Sequence, residues 1–306
     1  KQKTAYEIYQ CDWSSDVCSS DLMCGIVGFA GPATRSTPEL ETLAQAMAVR
    51  LSHRGPDDMG TWADAETGVA LGHRRLSIVD LSPAGHQPMV SHDGSGVIAY
   101  NGEVYNTDEL RAALQREGAG PFRGHSDTET LLAGISAWGL RKTLDACAGM
   151  YAIALYDRAE RSLTLARDRM GEKPLYYGQQ GGVVFFASEL KALAAHPGFV
   201  PEVDRGSLAS YLRYCYVPAP YSIYRGLKKV EPGTVVRLRE AGPEQITTYW
   251  SMAACIESGR RDPFTGSDQE AVSLLDQTIN QAVALQKVTD VPLGAFLSGG
   301  IDSSTV

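Results

Sequence analysis

Cys24 directly follows Met23, an order that could place a nucleophile at the beginning of a mature chain. Aminopeptidase removes an initiator methionine that precedes a small residue, which would leave Cys24 with a free α-amine. A thiol and an amine on one residue combine a nucleophile with its base, so no histidine partner is required. The alternative is a buried strand cysteine beside a start codon, and these two residues alone leave both interpretations open.

The segment before Met23 differs in character from the rest of the chain. Residues 1–22 are rich in Ser and Asp and show neither helical nor strand periodicity. From Met23 onward, MCGIVGFAG is an apolar, strand-like run. We therefore interpret residues 1–22 as foreign to the protein, either an artefact of gene assembly or a propeptide removed before Cys24.

A second candidate site is the run SGGIDSS at residues 298–304, which comes after a predicted strand over 291–297. A glycine-rich loop between a strand and a helix turns backbone N–H groups towards an anion. The glycine spacing and the missing lysine distinguish this run from a Walker A loop. The run predicts a phosphate-binding loop that opens a helix.

Composition limits the class of protein. The 306 residues include 28 basic and 36 acidic side chains, a formal net charge of −8, and 43% are hydrophobic, as in ordinary globular chains. This charge provides no basic field for a nucleic acid or an anionic membrane. No run approaches the roughly 18 to 20 apolar residues that span a bilayer, and no apolar signal segment is present. We expect a soluble, cytoplasmic enzyme with no nucleic-acid or membrane partner.

The cysteines and histidines provide no sequence pattern for a metal. No cysteine belongs to a CxxC pair or lies at short spacing from a histidine, and the six histidines show no metal spacing. We expect most thiols to be reduced and packed, since the cysteines are too sparse for a disulfide scaffold. The six cysteines are Cys11, Cys18, Cys24, Cys147, Cys215 and Cys255.

Short helices and strands must position these residues. Helix starts are predicted at Thr37 with Pro38, at Asn106 with Glu109 (about 107–117) and at Ser126 with Glu129 (about 127–138). Further helices are predicted near 207–214 and over 269–287. Strands are predicted at 69–72, 75–79, 97–100, 151–156, 162–166, 175–177, 183–187 and 234–238. Because the connections are turn-sized, the strands should pair antiparallel, and two sheets with helices outside give an α+β fold.

The stretch 260–268 is polar and broken by Pro263 and Gly266, which indicates a domain boundary. We predict a first domain over 24–250, a linker over 251–268 and the beginning of a second domain over 269–306.

From Met23 to Val306 the chain resembles the class II, N-terminal-nucleophile glutamine amidotransferases, and most closely the glutamine-hydrolysing asparagine synthetase family. The matching words are MCGIVGFAG, HRGPDD, HRRLSIVDLSPAGHQPM, YNGEVYN, GHSDTE, ARDRMGEKPLYYG and ASELKAL. The resemblance implies a four-layer αββα sandwich of two mostly antiparallel sheets, followed by the start of an α/β domain of the ATP pyrophosphatase type.

The resemblance also implies the chemistry. Cys24 would attack the side-chain amide of glutamine, form a γ-glutamyl thioester and release ammonia. Asn101, by its side-chain amide, and Gly102, by its backbone N–H, match the family's oxyanion hole. An Asn-Gly pair is typical of tight turns, which could aim both donors at one point.

Glutamine selection would use opposite charges. Arg75 matches the family arginine that pairs with the α-carboxylate, and Asp127 would bind the α-amine. Asp127 also comes directly after the predicted cap Ser126, so it could equally stabilise that helix terminus. The remaining implied glutamine-binding residues are Leu76, Ser77, Ile78, Val79 and Glu103.

For the second site, the resemblance implies an ATP loop made of Leu297, Ser298, Gly299, Gly300, Asp302, Ser303 and Ser304, with Asp302 a candidate magnesium ligand. The complete enzyme would use glutamine, aspartate and ATP with magnesium. The glutaminase step would need no cofactor. The resemblance is also compatible with a homodimer. We expect no asparagine synthesis by this chain alone.

Several alternatives stay open. The ammonia could go to a carboxylate other than aspartate, or the chain could be a catalytically dead paralogue that acts as a binding module. The SGGIDSS run argues against sugar-phosphate and phosphoribosyl acceptors. Arg54 and Asp57 in HRGPDD could belong to the site or form a salt-bridged turn, and we interpret the histidines of the family words as structural: His53, His73, His86 and His125.

Overall fold

The computed structural model describes residues 23–78, 80–239, 242–287, 294 and 299–305. Several predictions fall outside these residues: the foreign character of residues 1–22, the role of Val79, most of the strand over 291–297, and the parts of Leu297 and Ser298 in the ATP loop. The chain divides into two compact units, with Trp250 in the larger and Ser251 onward in the smaller.

The larger unit contains two antiparallel six-stranded sheets. The strands are β1 (Gly25–Ala30), β2 (Asp58–Asp64), β3 (Val69–Arg75), β4 (Met89–Val90), β5 (Gly96–Val104), β6 (Gly149–Asp157), β7 (Ser162–Arg167), β8 (Tyr176–Gln180), β9 (Val183–Ala187), β10 (Leu227–Lys229), β11 (Thr234–Arg239) and β12 (Gln245–Thr248). The first sheet has the order β10-β8-β9-β1-β3-β2 and the second β12-β11-β7-β6-β5-β4.

In the larger unit, the described helices lie outside these two sheets. The helices are α1 (Thr37–Val49), α2 (Thr107–Arg116), α3 (Asp127–Trp138), α4 (Leu140–Ala146), α5 (Leu190–Leu193) and α6 (Arg205–Tyr214) in the larger unit, and α7 (Met252–Arg261), α8 (Asp268–Leu285) and α9 (Ile301–Thr305) in the smaller. None of these helices combines the length and apolar character that crossing a membrane requires.

Successive side chains of each strand point to opposite faces of its sheet, and this alternation explains the layers of the larger unit. In β1, Ile26 joins the core between the two sheets, whereas Val27 and Phe29 pack with α1 and α5 on the outer face. In β5, Val97 and Ala99 face the inner core, and Ile98 and Tyr100 face the layer of α2, α3 and α4. Strands with two apolar faces require cover on both sides. The four-layer αββα sandwich is therefore confirmed.

The helix caps differ from the predictions at two of three positions. Ser126 caps α3, because its hydroxyl accepts the Glu129 N–H at 3.3 Å. Helix α1 is capped by Ser36 rather than Thr37, with the Ser36 N–H donating to the Glu39 carboxylate at 2.8 Å. The Asn106 side chain makes no capping hydrogen bond to α2.

Asn106 instead makes a long-range contact. Its amide donates to the carbonyl of Ala146 at 3.0 Å, and its side-chain oxygen accepts the N–H of Ala148 at 2.9 Å. The side chain therefore joins the start of α2 to the end of α4. The capping pattern missed this role because the partner groups lie about forty residues away.

The strand predicted over 75–79 is wrong in the residues described. Arg75 ends β3, and Leu76, Ser77 and Ile78 leave the sheet as irregular backbone. Their N–H groups are consequently available to side chains rather than to a neighbouring strand.

The smaller unit is described through its helices. Helix α7 lies within the segment predicted as a linker. Helix α8 begins after Ser267, whose hydroxyl accepts the Glu270 N–H at 3.3 Å, and it corresponds to the helix predicted over 269–287. Gly299 and Gly300 precede α9, so the prediction that this run opens a helix is confirmed.

Candidate active site

A pocket lies at the end of the sandwich where β1 begins and β3 ends. The register pairs Gly25 with Arg74, so antiparallel pairing brings Cys24, directly before β1, beside Arg75 and Leu76. Strand β5 and the start of α3 complete the walls. The lining residues are Met23, Cys24, Arg75, Leu76, Ile78, Gly85, Gln87, Tyr100, Gly102, Glu103, Ser126, Asp127 and Thr128.

The Cys24 thiol is held by the irregular backbone after β3. The Leu76 N–H donates to Cys24 Sγ at 3.3 Å, and the thiol lies 3.6 Å from the Leu76 carbonyl oxygen. Arg54 Nε donates to the Cys24 carbonyl at 3.3 Å. With Cys24 linked to Met23, burial raises the pKa of the thiol to about 11. The thiol is therefore protonated near neutral pH, and a nucleophilic role requires a base.

Arg75 places its guanidinium in the pocket by bonding the loop that connects β3 to β4. Its Nη1 donates to the Ser82 carbonyl at 3.1 Å, and its Nη2 donates to the Asp80 carbonyl. The loop is closed in turn by Asp80, whose carboxylate accepts the His125 N–H at 2.7 Å. A planar cation fixed in this way is suited to a carboxylate.

Gly85 leaves room for this guanidinium, since a Cβ there would collide with Arg75 Nη2 and Cζ. We expect Gly85→Ala to displace the Arg75 side chain and raise the KM for glutamine about 10-fold, the size of a weakened charge-assisted hydrogen bond, with a smaller change in kcat. Steady-state ammonia release measures both constants. Gly96→Ala is the control, because a Cβ there meets its nearest neighbour at an ordinary 3.7 Å; equal KM values for the two variants would contradict the prediction.

Asp127 provides the opposite charge at the first residue of α3. Its Oδ2 accepts the Tyr100 hydroxyl at 2.8 Å and the Val104 N–H at 3.1 Å, and its Oδ1 accepts the Thr128 N–H at 2.8 Å. Burial raises the pKa of this carboxyl, and the hydrogen bonds oppose that rise. Asp127 thus lines the pocket and also lies in the helix terminus, so both roles considered from the sequence are compatible with its position.

Asn101 and Gly102 lie in the extended strand β5, so the prediction of a tight turn at this Asn-Gly pair is wrong. Gly102 is required there because a Cβ would collide with the Met150 carbonyl of β6. The N–H groups of Tyr100 and Val104 both point to the outer edge of β5, where they bond Gln87 and Asp127. With a strand period of two, the Gly102 N–H between them points to the same edge.

The Asn101 side chain is fully buried, yet neither its Nδ2 nor its Oδ1 has a hydrogen-bond partner among the described residues. An unsatisfied buried amide costs roughly 1–3 kcal/mol, so such a group calls for an explanation. Asn101 is not among the residues that line the pocket, although its neighbours Tyr100 and Gly102 are.

The remaining predicted residues divide between the pocket and its support. Leu76, Ile78 and Glu103 line the pocket. Ser77 does not, and its N–H donates to Asp57 Oδ2 at 2.9 Å. Arg54 is buried and its Nη1 pairs with Glu189 at 2.8 Å.

Several residues that line the pocket were not predicted from the sequence, namely Gly85, Gln87, Tyr100 and Thr128. Gly85 and Gln87 stand at the end of the word HRRLSIVDLSPAGHQPM, and Tyr100 and Thr128 stand beside predicted site residues. Their positions in the family words were the available signal, but their roles depend on contacts between distant segments.

The predicted phosphate loop lies in the smaller unit. Gly299 and Gly300 are exposed, and the hydroxyls of Ser303 and Ser304 donate to the Gly300 carbonyl at 3.3 and 2.8 Å. The side chain of Asp302 lies outside the described part of the structure. Within the residues that are described, no cluster of three or more His, Cys, Asp or Glu side chains could hold a metal ion.

Two antiparallel sheets packed between helical layers form the αββα sandwich predicted from the sequence, and a pocket thiol lies directly before one of its central strands. Residues 23–250 match the family described as glutamine amidotransferase domain, and the chain belongs to this family. Residues 274–306 match the family described as asparagine synthase.

The chain is similar to curated proteins of that description. It is 37% identical over 287 residues to glutamine-hydrolyzing asparagine synthetase 3 of Bacillus subtilis, and the match covers 93% of this chain and 44% of that protein. A putative glutamine-hydrolyzing asparagine synthetase of Mycobacterium bovis is 36% identical over 299 residues, with 93% and 45% covered. The chain therefore spans less than half the length of these relatives.

A solved structure shares the fold. The glutamine phosphoribosylpyrophosphate amidotransferase of B. subtilis, complexed with ADP and GMP, superimposes with a TM-score of 0.55 at 20% identity, covering 75% of this chain and 50% of that chain. At this identity the similarity concerns the fold.

Proposed function

We propose that this protein hydrolyses glutamine to glutamate and ammonia through a thioester on Cys24. The observation that carries the proposal is the pocket itself: a thiol, a fixed cation, Arg75, and a carboxylate, Asp127, line the same pocket. A free amino acid carries both charges on its α-carbon, so these groups would bind the α-carboxylate and the α-amine of glutamine and leave its side-chain amide free to reach the thiol.

In the proposed reaction, the α-amine of Cys24 takes the thiol proton, and the sulfur attacks the amide carbon of glutamine. The oxygen becomes an oxyanion, to which the Asn101 amide and the Gly102 N–H would donate. The α-ammonium of Cys24 then gives its proton to the amide nitrogen, and the intermediate collapses, expelling ammonia and leaving a γ-glutamyl thioester. Water adds to this thioester, releasing glutamate and restoring the thiol.

The oxyanion assignment predicts the effect of Asn101→Ala. Removal of one such donor typically lowers kcat by about 10²- to 10³-fold, and we expect this loss in ammonia release with little change in the KM for glutamine. Asn106→Ala is a matched control, because that side chain bonds Ala146 and Ala148 away from the pocket. A kcat for Asn101→Ala within a few-fold of the unchanged protein would remove Asn101 from the oxyanion site.

We further propose that a longer protein containing this chain passes the ammonia to aspartate that ATP has adenylated, forming asparagine and releasing AMP. The match of residues 274–306 and the named relatives support this proposal. Gly299, Gly300, Ser303 and Ser304 would contribute to the ATP loop, and a magnesium role for Asp302 remains a prediction. A cytoplasmic location and a homodimer also remain predictions.

The acceptor is tested with the longer protein, glutamine, ATP and either aspartate or other amino-acid and carboxylate acceptors. We expect AMP and asparagine in equal amounts only when aspartate is present. AMP formation with another carboxylate but not with aspartate would overturn the aspartate assignment and leave the glutaminase proposal intact.

A further inference from the structure

Among the described residues, no strand pairs with the outer edge of β5 at Gly102, whose N–H is a proposed oxyanion donor. Strand β4 pairs with β5 only through Met89 with Ile98 and Val90 with Val97. Beyond this point, the outward backbone groups of Tyr100 and Val104 bond side chains. Strand β6 pairs with β5 along the opposite edge through Val104, so the ladder holds this segment from one side, whereas oxyanion donors must be aimed within a fraction of an ångström.

The side chain of Gln87 bonds this edge of β5 at Tyr100. Its side-chain oxygen accepts the Tyr100 N–H at 2.7 Å, and its side-chain nitrogen donates to the Thr128 hydroxyl at 3.2 Å. Gln87 is 4% exposed. One buried carboxamide thus joins β5 to the first turn of α3, which also carries Asp127.

His73 binds the other polar group of the same residue. Its Nε2 lies 3.0 Å from the Tyr100 carbonyl oxygen, and because a carbonyl only accepts, Nε2 must carry the proton. Burial lowers the pKa of His73 to about 3, so the ring is neutral near pH 7. His73 belongs to β3 of the first sheet and Tyr100 to β5 of the second, so this hydrogen bond crosses the sandwich beside the pocket.

Gln87 and His73 bond the two backbone groups of Tyr100, the residue directly before the proposed oxyanion donor Asn101. The Tyr100 carbonyl belongs to the peptide unit whose nitrogen is that of Asn101, so His73 and the pairing of Asn101 with Ala152 of β6 hold that peptide from opposite sides. His73 also stands two residues before Arg75 on β3. The strand with the carboxylate-binding cation and the strand with the oxyanion donors are therefore linked through one imidazole.

We propose that Gln87 and His73 are positioning residues that hold the Asn101–Gly102 segment in register with Cys24; this inference rests on the proposed glutaminase function. Neither side chain reacts with substrate. Each acts through the Tyr100 backbone, and loss of either would move the oxyanion donors while leaving the thiol in place.

The test compares paired variants in protein that begins at Cys24. Gln87→Met and His73→Leu remove the hydrogen bonds, whereas Gln87→Glu keeps the acceptor for Tyr100 and His73→Gln keeps a donor near the Nε2 position. We expect Gln87→Met and His73→Leu to lower kcat for ammonia release about 10- to 100-fold, the cost of misplacing catalytic groups, with the KM for glutamine changed much less. The conservative variants should recover most of the loss.

Controls separate positioning from general damage. Alkylation of Cys24 by iodoacetamide forms no oxyanion, so its rate should stay unchanged in every variant. Gln180→Met removes a hydrogen-bonded, partly exposed carboxamide of β8, which bonds Val200 and Arg225. His196→Leu removes a buried ring that bonds Gly198. We expect these two controls to keep kcat.

The outcomes are distinct. If the unchanged protein releases ammonia but Gln87→Met and His73→Leu keep its kcat, the positioning inference is overturned. The same holds if alkylation falls in parallel with kcat, since the defect would then lie in the thiol or the fold. No ammonia release by the unchanged protein, with Cys24 still alkylated, would refute the proposed function itself.

Discussion

Cys24→Ala should abolish ammonia release from glutamine in protein that begins at residue 24. The substitution removes the atom that forms the thioester, and loss of a catalytic nucleophile lowers kcat by about 10⁴-fold or more. The expected rate is therefore indistinguishable from buffer. The measurement is ammonia or glutamate production at saturating glutamine, with circular dichroism to show that the variant is folded.

Other cysteines of the described chain provide matched controls for this experiment. Cys147 is buried among apolar residues of the second sheet, and Cys215 and Cys255 are exposed. Cys215→Ala and Cys255→Ala should keep full activity, because neither thiol lies in the pocket. Equal ammonia release by Cys24→Ala and the unchanged protein would rule out the nucleophile assignment, and release by neither would favour a binding module.

Retention of the Met23–Cys24 peptide bond should cause a second large loss. In that form the nitrogen of Cys24 is an amide, which cannot accept the thiol proton, and burial raises the pKa of the thiol to about 11. Loss of a general base typically costs about 10²- to 10⁴-fold, and we expect this reduction in kcat relative to protein beginning at Cys24. Intact-protein mass spectrometry must verify which form is present in each assay.

The thiol pKa gives this prediction a readout that is independent of turnover. The raised value means that the reactive thiolate forms only as the pH approaches about 11. Alkylation of Cys24 in the unprocessed chain should therefore increase about tenfold per pH unit between roughly pH 7 and 10. Full glutaminase activity of a chain that still carries residues 1–23 would contradict the assignment of the α-amine as base.

Local patterns predicted the elements that depend on neighbouring residues. The strand in MCGIVGFAG, the cap at Ser126 and the antiparallel order of short strands all appear in the structure. Predictions failed where a distant group competes for the same side chain or backbone. Asn106 bonds Ala146 and Ala148 instead of capping α2, and Asn101–Gly102 forms a strand because β6 pairs with it over the length of β5.

The sequence by itself determined the family words, the nucleophile candidate Cys24, and the charged pair Arg75 and Asp127, because these depend on residue type and order. Only the tertiary structure decided how they meet. The register of β1 with β3 places Cys24 beside Leu76, and the outward edge of β5 exposes the Gly102 N–H. The supporting hydrogen bonds of Gln87 and His73 to Tyr100 join residues 13 and 27 positions apart. A shift of one residue in either strand would turn each of these groups away, and no local pattern specifies that register.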